Sequence, residues 1–178
     1  MEDLFGHYIT ELVTDQSNAL SVKIFRIWSA GCADGTETFN LKSWLKKLAE
    51  RHKNTLQQNR RRILFSIYGT DIREDKLEFA TAHESEKYWD SDGGSIIQLH
   101  FRRQDLLEDE PLSHVDLIFC RNVLMFFQAA YQEIIFKKLF HSLKKNGYLV
   151  LGRGEYLKPE AENLFQPINK RFRIYQKV

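Results

Sequence analysis

The sequence has few of the features that mark metal-binding, secreted or membrane-spanning chains. It contains two cysteines, Cys32 and Cys120, whose spacing is not that of metal ligands, so we expect no metal site and no structural disulfide. No apolar run approaches about 18 residues, and no positive charge precedes an apolar stretch at the start, which excludes a membrane-spanning helix and a secretory signal. We therefore expect a cytoplasmic protein whose cysteines are small buried side chains.

The sequence also lacks a strong excess of charge of either sign. With 26 Lys and Arg against 24 Asp and Glu, the net charge of +2 is too small to indicate a nucleic-acid partner. The basic cluster at residues 59–62 could meet an acidic partner or a phosphate, although solvated charge before a strand is the simpler interpretation. There is no internal repeat. A chain of 178 residues that is 43% hydrophobic can bury one substantial core, so residues 1–178 are predicted to form a single domain.

What the sequence does contain is an alternation of strand and helix patterns. These patterns predict strands over residues 24–29, 63–70, 96–101, 115–120, 148–152 and 171–178, and helices over residues 37–52, 74–81 and 128–143. An amphipathic pattern in residues 1–18 predicts a helical lead-in over residues 1–22. Asn146 and Gly147 are predicted to end the helix before them, because a left-handed C-terminal cap favours Asn or Gly. The alternation predicts an α/β fold with right-handed crossovers.

The first strand pattern runs directly into a glycine-containing loop and then into a helix. Residues 25–37 read Phe25-Arg-Ile-Trp-Ser-Ala-Gly-Cys-Ala-Asp-Gly-Thr-Glu, with Gly31 and Gly35 in the loop. Glycine lets a backbone turn tightly or approach a ligand, and parallel α/β sheets bind ligands at the carboxyl ends of their strands. The segment is typical of a nucleotide-binding site, although two glycines also occur in loops that only turn.

The second strand pattern ends in an acidic residue, Asp71. At this place in a Rossmann-like unit a carboxylate accepts hydrogen bonds from ribose hydroxyls. The spacing of 36 residues from Gly35 to Asp71 exceeds the roughly 20 of a compact dinucleotide fingerprint, which disfavours NAD. Asp71 could equally cap the helix that begins near Arg73, with Glu74 as the reciprocal partner, and one residue can do both.

A third strand pattern, Val115-Asp-Leu-Ile-Phe-Cys-Arg-Asn-Val-Leu, ends in Arg121 and Asn122. In order along the chain it joins Trp28-Ser-Ala-Gly-Cys, Gly69-Thr-Asp-Ile and Gly147-Tyr-Leu-Val-Leu-Gly-Arg-Gly-Glu. With these motifs, residues 24–178 resemble the CheR-type chemotaxis-receptor methyltransferases, which use S-adenosylmethionine to esterify glutamate side chains of signalling proteins. The resemblance implies a Rossmann-like class I methyltransferase fold, with helices on both faces of a mostly parallel sheet and an antiparallel C-terminal strand.

The resemblance also implies how the glycine loop and the second strand meet the cofactor. The backbone of Ala30, Gly31 and Gly35 is expected beneath the methionine part of S-adenosylmethionine. Glu37 is expected near its ammonium group, and Asp71 at its ribose. The product, S-adenosylhomocysteine, would occupy the same cleft.

Two further segments match the family around the cofactor. Asp105 and Leu106 match the pair that the family places around adenine, and Asn122 with Val123 matches the segment on the cofactor's other side. The whole set of expected cofactor-binding residues is Ala30, Gly31, Cys32, Gly35, Glu37, Asp71, Ile72, Asp105, Leu106, Asn122 and Val123, and the expected catalytic residues are Arg121, Asn122 and Phe126.

The sequence departs from the family mostly on the substrate side. The family's Asn-Val-x-x-Tyr-Phe reads Asn122-Val-Leu-Met-Phe-Phe, so Phe126 lacks the tyrosine hydroxyl, and Gly-Glu-Glu-Pro-Tyr-Ser reads Gly35-Thr-Glu-Thr-Phe-Asn. The family's Thr-x-Phe-Phe-Arg segment and its N-terminal helical domain would fall before Met1. Residues 89–100 are too few for the small β-subdomain that docks receptor tails.

Three functions remain open at this point. The first is an active methyltransferase acting on a carboxylate or another nucleophile, supported by Glu37, Asp71 and Asn122. The second is a catalytically silent module that binds the cofactor and regulates a signalling partner, favoured by Phe126. The third is a scaffold that binds no cofactor. We expect a protein substrate or signalling partner, no nucleic acid, no membrane insertion and no binding of a chemoreceptor tail.

Overall fold

The computed structural model describes residues 22–58, 62–83, 88–89 and 95–178 of the chain. The described strands are β1 (Val22–Ala30), β2 (Arg62–Asp71), β3 (Tyr88–Trp89), β4 (Ser95–Arg103), β5 (Val115–Cys120), β6 (Leu143–Leu151), β7 (Phe165–Asn169) and β8 (Ile174–Lys177). The helices are α1 (Thr36–Arg51), α2 (Lys53–Gln58), α3 (Glu74–Ala82) and α4 (Ala129–Ser142), with short 3-10 helices at Leu124–Phe126 and Pro159–Ala161. The helix predicted over residues 1–18 lies outside the described residues. None of the described helices is long and apolar enough to cross a membrane.

The strands form one sheet in the order β3-β4-β2-β1-β5-β6-β8-β7. Strands β4, β2, β1, β5 and β6 pair in parallel, and β8 pairs antiparallel with β6. The predicted mostly parallel fold with an antiparallel C-terminal strand is therefore confirmed. The chain leaves β1 towards β2 on one side and returns to its other side as β5, so the strand order reverses beside β1, where open α/β sheets bind ligands.

Two strands have no counterpart in the sequence prediction. Strand β3 is only two residues long and pairs antiparallel with β4 at one edge. Strand β7 lies at the other edge, where Phe165 is its only buried residue and Pro167 interrupts the backbone donors. Proline is tolerated there because β7 is an edge strand. The segment lacks the apolar alternation that predicts a strand, so no sequence pattern indicates β7.

The prediction that Asn146 and Gly147 end the last long helix is wrong. Helix α4 ends at Ser142, and Leu143 is already extended as the first residue of β6. Asn146 does adopt a left-handed conformation, with φ of 63°, but it lies within β6, where the register against β5 shifts. Burial of Leu143 in the core starts the strand early, so the left-handed residue forms an irregularity in the strand rather than a helix cap.

Successive side chains of β1 enter two hydrophobic cores, one on each face of the sheet. Phe25 and Ile27 pack with Leu45 of α1 on one face, whereas Trp28 packs with Phe136 of α4 on the other. Helices therefore cover both faces, as predicted. Buried Trp28 also donates its indole Nε1–H to Thr70 Oγ1 at 2.8 Å, which connects β1 and β2 near their carboxyl ends.

Candidate functional site

The carboxyl ends of β1, β2 and β5 meet at one edge of the sheet. Ala30 lies opposite Thr70 of β2, and Ser29 lies opposite Phe119 of β5. A cleft of about 1010 Å³ opens above this edge, close to the upper size of typical small-molecule sites. The predicted residues that line the cleft are Gly31, Cys32, Glu37, Asp71, Ile72, Asp105, Leu106, Arg121, Asn122, Val123 and Phe126.

Ala30 and Gly35 are predicted cofactor-binding residues that do not line the cleft. Ala30 is buried within the sheet, with 1% of its surface exposed. Gly35 is the residue before α1, with φ of 81°, and a Cβ there would lie 3.0 Å from Ala80 Cβ. Its glycine is explained by the backbone conformation and by the packing of α1 on α3. Direct contact of either residue with a ligand stays a prediction.

Gly31 forms the floor of the cleft after β1. Its backbone has φ of 72°, and its N–H and that of Cys32 both donate to Thr70 O, at 2.7 and 2.9 Å. A Cβ at Gly31 would lie 2.4 Å from Val123 Cγ2. Conformation and close packing therefore both require glycine here.

Asp71 holds the loop after β1 and the turn before α3 together. Its Oδ2 accepts the Ala33 N–H at 2.9 Å, and its Oδ1 accepts the Arg73 N–H at 3.0 Å. The prediction that Asp71 caps α3 is wrong, because Arg73 is the N-cap residue of α3 and no side chain makes a capping bond there. The proposed reciprocal capping partner, Glu74, instead lies 3.7 Å from Arg103 Nε. Asp71 thus starts the turn into α3 while still lining the cleft. Its Oδ1 also accepts the Arg73 Nε–H at 3.3 Å, so Oδ2 is the oxygen that can accept a further hydrogen bond.

An ion pair in the cleft lining joins Glu37 of α1 to Arg121 after β5. Arg121 Nη1 donates to Glu37 Oε2 at 2.8 Å, and Ser29 Oγ donates to Glu37 Oε1 at 3.0 Å. Both side chains are partly exposed to the cleft, 24% for Glu37 and 33% for Arg121. Their remaining donors and acceptors are therefore within reach of a ligand.

Asp105 shapes the loop that follows β4. Its Oδ1 accepts the Leu107 N–H at 2.8 Å, and its own N–H donates to Asp109 Oδ2 at 2.7 Å. Lys138 of α4 donates to the Asp109 carbonyl at 2.8 Å and so ties this loop to the helix. The loop presents Asp105 and the partly buried Leu106 to the cleft.

Asn122 and Val123 also line the cleft, and with Leu124 they form a turn, residues 122–124, which we call the Asn122 turn. Asn122 has φ of 59°, a left-handed conformation that Asn tolerates better than most residues. The turn is held by Glu155, a residue for which the sequence predicted no role. Glu155 is the last residue of the motif at residues 147–155, Gly-Tyr-Leu-Val-Leu-Gly-Arg-Gly-Glu. That motif is the only sequence signal that could have indicated a role for Glu155.

The remaining predicted residues differ in exposure. Ile72 and Phe126 are 52% and 81% exposed at the cleft, so both are accessible to a large ligand. Cys32 and Cys120 are free and buried. Burial and the nearby Asp71 carboxylate raise the pKa of Cys32 to about 12, and burial also raises the pKa of Cys120. Neither thiol is therefore a nucleophile at neutral pH.

Comparison of the sequence with known protein families identifies the family of this chain. The family model for the CheR methyltransferase, SAM binding domain, matches residues 2–89 and 95–174. The chain belongs to this family. The resemblance drawn from the motifs is thus confirmed, and the cofactor of the CheR domain is S-adenosylmethionine.

Similar proteins are longer than this CheR domain. It is 27% identical to a chemotaxis protein methyltransferase of Listeria monocytogenes over 164 residues, covering 84% of this chain and 60% of the relative. It is 30% identical to chemotaxis protein methyltransferase 1 of Pseudomonas aeruginosa over 155 residues, covering 74% and 55% of the two chains. The chain therefore spans little more than half the length of these curated relatives.

Solved structures support the fold. A TehB-like SAM-dependent methyltransferase from Corynebacterium glutamicum aligns with a TM-score of 0.53 at 16% identity, covering 99% of this chain and 95% of the other. A SAM-dependent methyltransferase from Methanosarcina mazei gives 0.51 at 22% identity, covering 83% and 61%. These similarities show the shared class I fold.

The chemistry of the cleft fits S-adenosylmethionine. The Glu37 carboxylate suits an ammonium group, and the Asp71 carboxylate suits hydroxyl donors, since carboxylate oxygens accept several hydrogen bonds. Apolar side chains, among them Leu106 and Val123, also line the cleft, as an adenine ring requires.

Proposed function

We propose that this CheR domain transfers the methyl group of S-adenosylmethionine to a glutamate carboxylate of a signalling protein. The observation that carries the proposal is the 2.8 Å ion pair between Arg121 and Glu37 in the lining of the cleft. Because Glu37 engages one Nη of Arg121, the other guanidinium donors can bind an incoming carboxylate. We take residues 1–178 as one such domain and place it in the cytoplasm, as the two free cysteines favour.

The cofactor-binding roles follow the positions of the side chains around the cleft. Gly31 brings the backbone beneath the methionine part, and Glu37 faces the ammonium group with the oxygen that Ser29 also contacts. Asp71 receives the ribose hydroxyls, and the Asp105 loop lies against adenine. These roles are supported by the joint lining of the cleft and by the match to the family motifs.

The chain's own residues need only align the methyl acceptor and remove water from it. When bound, the cofactor supplies an activated methyl group on a sulfonium centre. A glutamate carboxylate is ionised at pH 7, so no general base is required. Arg121 holds the carboxylate, Asn122 contributes polar contacts beside it, and the apolar surface of Phe126 excludes water from the mouth of the cleft.

Direct binding and transfer measurements test this proposal. Isothermal titration of the chain with S-adenosylmethionine and S-adenosylhomocysteine is expected to show one site. Tritiated S-adenosylmethionine and signalling-protein extracts are expected to give base-labile label, the signature of a methyl ester. Base-stable label would show that the acceptor is another nucleophile, and the absence of binding would refute the proposal.

A second function is favoured by one observation. Phe126 is 81% exposed at the cleft and stands where the family has tyrosine, so the hydroxyl near the reacting group is missing. A module that binds S-adenosylmethionine but regulates a partner without methylating it accounts for this substitution. Tight binding with no label transferred to any extract would favour this second function.

We also propose that the domain does not bind chemoreceptor tails. Strands β3 and β4 pair antiparallel with Trp89 opposite Ile96, so only a short connection joins them. Such a connection has no room for the β-subdomain that docks receptor tails in the family. A titration with a receptor C-terminal peptide is expected to show no binding, and measurable affinity would show that another surface has taken this role.

A further inference from the structure

We propose that Glu155 is a positioning residue that holds the Asn122 turn, and with it one wall of the cleft, in the geometry that binds the cofactor. The inference rests on the proposed function, since the wall matters only if the cleft binds S-adenosylmethionine. Glu155 does not line the cleft itself. It therefore acts through the residues that do.

The Glu155 carboxylate is buried and accepts hydrogen bonds from four backbone N–H groups. Its Oε2 accepts from Asn122 and Gly152, each at 2.8 Å, and its Oε1 accepts from Val123 at 2.9 Å and Leu124 at 2.8 Å. Only 7% of the residue is exposed. Charge-assisted bonds to both oxygens offset the cost of removing this carboxylate from water.

The backbone of the Asn122 turn explains why an anion is needed there. Asn122 is left-handed, with φ of 59°, and Val123 is right-handed, with φ of −115° and ψ of −46°. Consecutive residues of this kind direct their N–H groups to one point and form a concave anion site. Without an acceptor, three successive N–H groups would lose their partner, and the N–H of Leu124 is buried, where proteins rarely tolerate an unpaired donor.

The position of the turn determines the shape of the cleft. Asn122 and Val123 line it, and Val123 packs so closely on Gly31 that a Cβ on that glycine would lie 2.4 Å from Val123 Cγ2. Leu124 begins the 3-10 helix that carries Phe126 into the cleft. A shift of the turn therefore moves both the surface facing the β1 loop and the mouth of the cleft.

Gly152 provides a second way to disturb the same contact. A Cβ at Gly152 would lie 2.4 Å from Asn122 Oδ1 and 2.7 Å from Glu155 Oε2. Gly152→Ala leaves the carboxylate in the chain but pushes it and the turn apart. It should therefore reproduce the effect of changing Glu155.

Asp116 offers a matched control, because it is a buried, hydrogen-bonded carboxylate that does not line the cleft. It is 9% exposed near the start of β5, whereas the Asn122 turn follows the end of that strand. It accepts the Arg26 N–H at 2.8 Å and the Lys144 Nζ at 2.8 Å. Asp116→Asn should thus affect folding stability without moving the cleft wall.

The test measures S-adenosylhomocysteine affinity and melting temperature for the parent chain, Glu155→Gln and Asp116→Asn. Glutamine fills the same space but presents an NH₂ group to two backbone N–H donors. We expect Glu155→Gln to weaken binding by about tenfold or more, and Asp116→Asn to leave it within about twofold even when both lower the melting temperature. Affinity of Glu155→Gln within twofold of the parent, or equal weakening by both variants, would overturn the proposal.

If Glu155→Gln does not fold, Gly152→Ala is measured in its place. Gly152→Ala is then expected to weaken S-adenosylhomocysteine binding by about tenfold or more, and an affinity within about twofold of the parent would overturn the proposal. Amide hydrogen exchange of residues 122–124 and 152 without cofactor should rise locally in Glu155→Gln and stay unchanged in Asp116→Asn. If the parent does not bind S-adenosylhomocysteine, the proposed function fails, and the exchange result alone decides whether Glu155 holds the turn.

Discussion

Arg121 and Glu37 are 84 residues apart in the sequence, and Arg121 Nη1 lies 2.8 Å from Glu37 Oε2. Glu37 lies in the first turn of α1 and Arg121 directly follows β5, so the pair ties a helix start to the edge of the sheet. Ser29 Oγ holds the other Glu37 oxygen at 3.0 Å. One carboxylate therefore connects β1, α1 and the end of β5 inside the cleft.

Glu37→Gln is expected to weaken S-adenosylhomocysteine binding by about tenfold, because it removes the charge that faces the ligand's ammonium group. The pair is partly exposed, so we expect little change in melting temperature. Glu133→Gln is the matched control, since Glu133 pairs with Lys137 at 2.7 Å on the exposed side of α4. Equal affinities of the two variants, measured by calorimetry, would show that Glu37 does not contact the ligand.

Much of the fold follows from local patterns in the sequence. The apolar runs of β1, β2 and β5 predict strands, and parallel strands of one sheet end at the same edge. Gly31, Asp71 and Asn122 each follow or end one of these strands, so their meeting at one cleft could be predicted without the structure.

The contacts that support the cleft could not be predicted in this way. Glu155 accepts hydrogen bonds from residues 31 to 33 positions earlier in the chain, and no local pattern signals such an approach. The start of β6 at Leu143 likewise depends on burial of that side chain in the core, which overrides the turn signal of Asn146 and Gly147. Tertiary packing decides both features.

Gly31→Ala is expected to lower the free energy of unfolding by about 1–3 kcal/mol, because alanine is strained at φ of 72° and its Cβ would meet Val123. Gly154→Ala is the control, since a Cβ there meets no atom within 4 Å. Its effect should stay within about 0.5 kcal/mol. Urea unfolding measures both, and equal stability of the two variants would mean that the β1 loop can relax around a methyl group.

Asp71→Ala is expected to weaken S-adenosylhomocysteine binding by about 1–3 kcal/mol, because it removes the acceptor for the ribose hydroxyls. It also leaves the Ala33 and Arg73 N–H groups without the Asp71 acceptor, so stability should fall as well. Asp75→Ala, on the exposed first turn of α3, should leave the affinity unchanged and lower stability by at most about 1 kcal/mol, since an acidic side chain there interacts favourably with the helix N-terminus. Unchanged affinity in Asp71→Ala, measured by titration, would remove Asp71 from the site.

Cys32 is expected to react slowly with iodoacetamide in the folded chain at pH 8 and rapidly in urea. Burial and Asp71 raise its pKa from 9.0 to about 12, so the folded state binds the thiol proton more tightly than the unfolded state. The resulting stabilisation is complete below pH 9 and is lost as the pH rises from about 9 to 12. Mass spectrometry of alkylated peptides measures the rates, and fast labelling of Cys32 in the native chain would contradict the raised pKa.

Phe126→Tyr is expected to raise methyl-ester formation while leaving cofactor affinity unchanged. Phe126 is 81% exposed, so an added hydroxyl needs no buried partner and the melting temperature should not change. A hydroxyl aimed at the reacting group would restore an alignment contact, and losing such a donor costs about 10²–10³-fold in oxyanion-hole deletions. The gain in methyl-ester formation by Phe126→Tyr should be no larger than this factor, because a carboxylate loses charge during methylation whereas an oxyanion gains it.

Met125→Tyr is the matched control for this variant, since Met125 is 68% exposed on the same 3-10 helix but does not line the cleft. Label transfer from tritiated S-adenosylmethionine to signalling-protein extracts is compared for the parent and both variants. If label transfer increases in Phe126→Tyr but not in Met125→Tyr, the parent chain is inactive or slow because it lacks a hydroxyl at position 126. Robust ester formation by the parent, with no gain in Phe126→Tyr, would show that Arg121 and the Asn122 turn align the carboxylate without a hydroxyl at position 126.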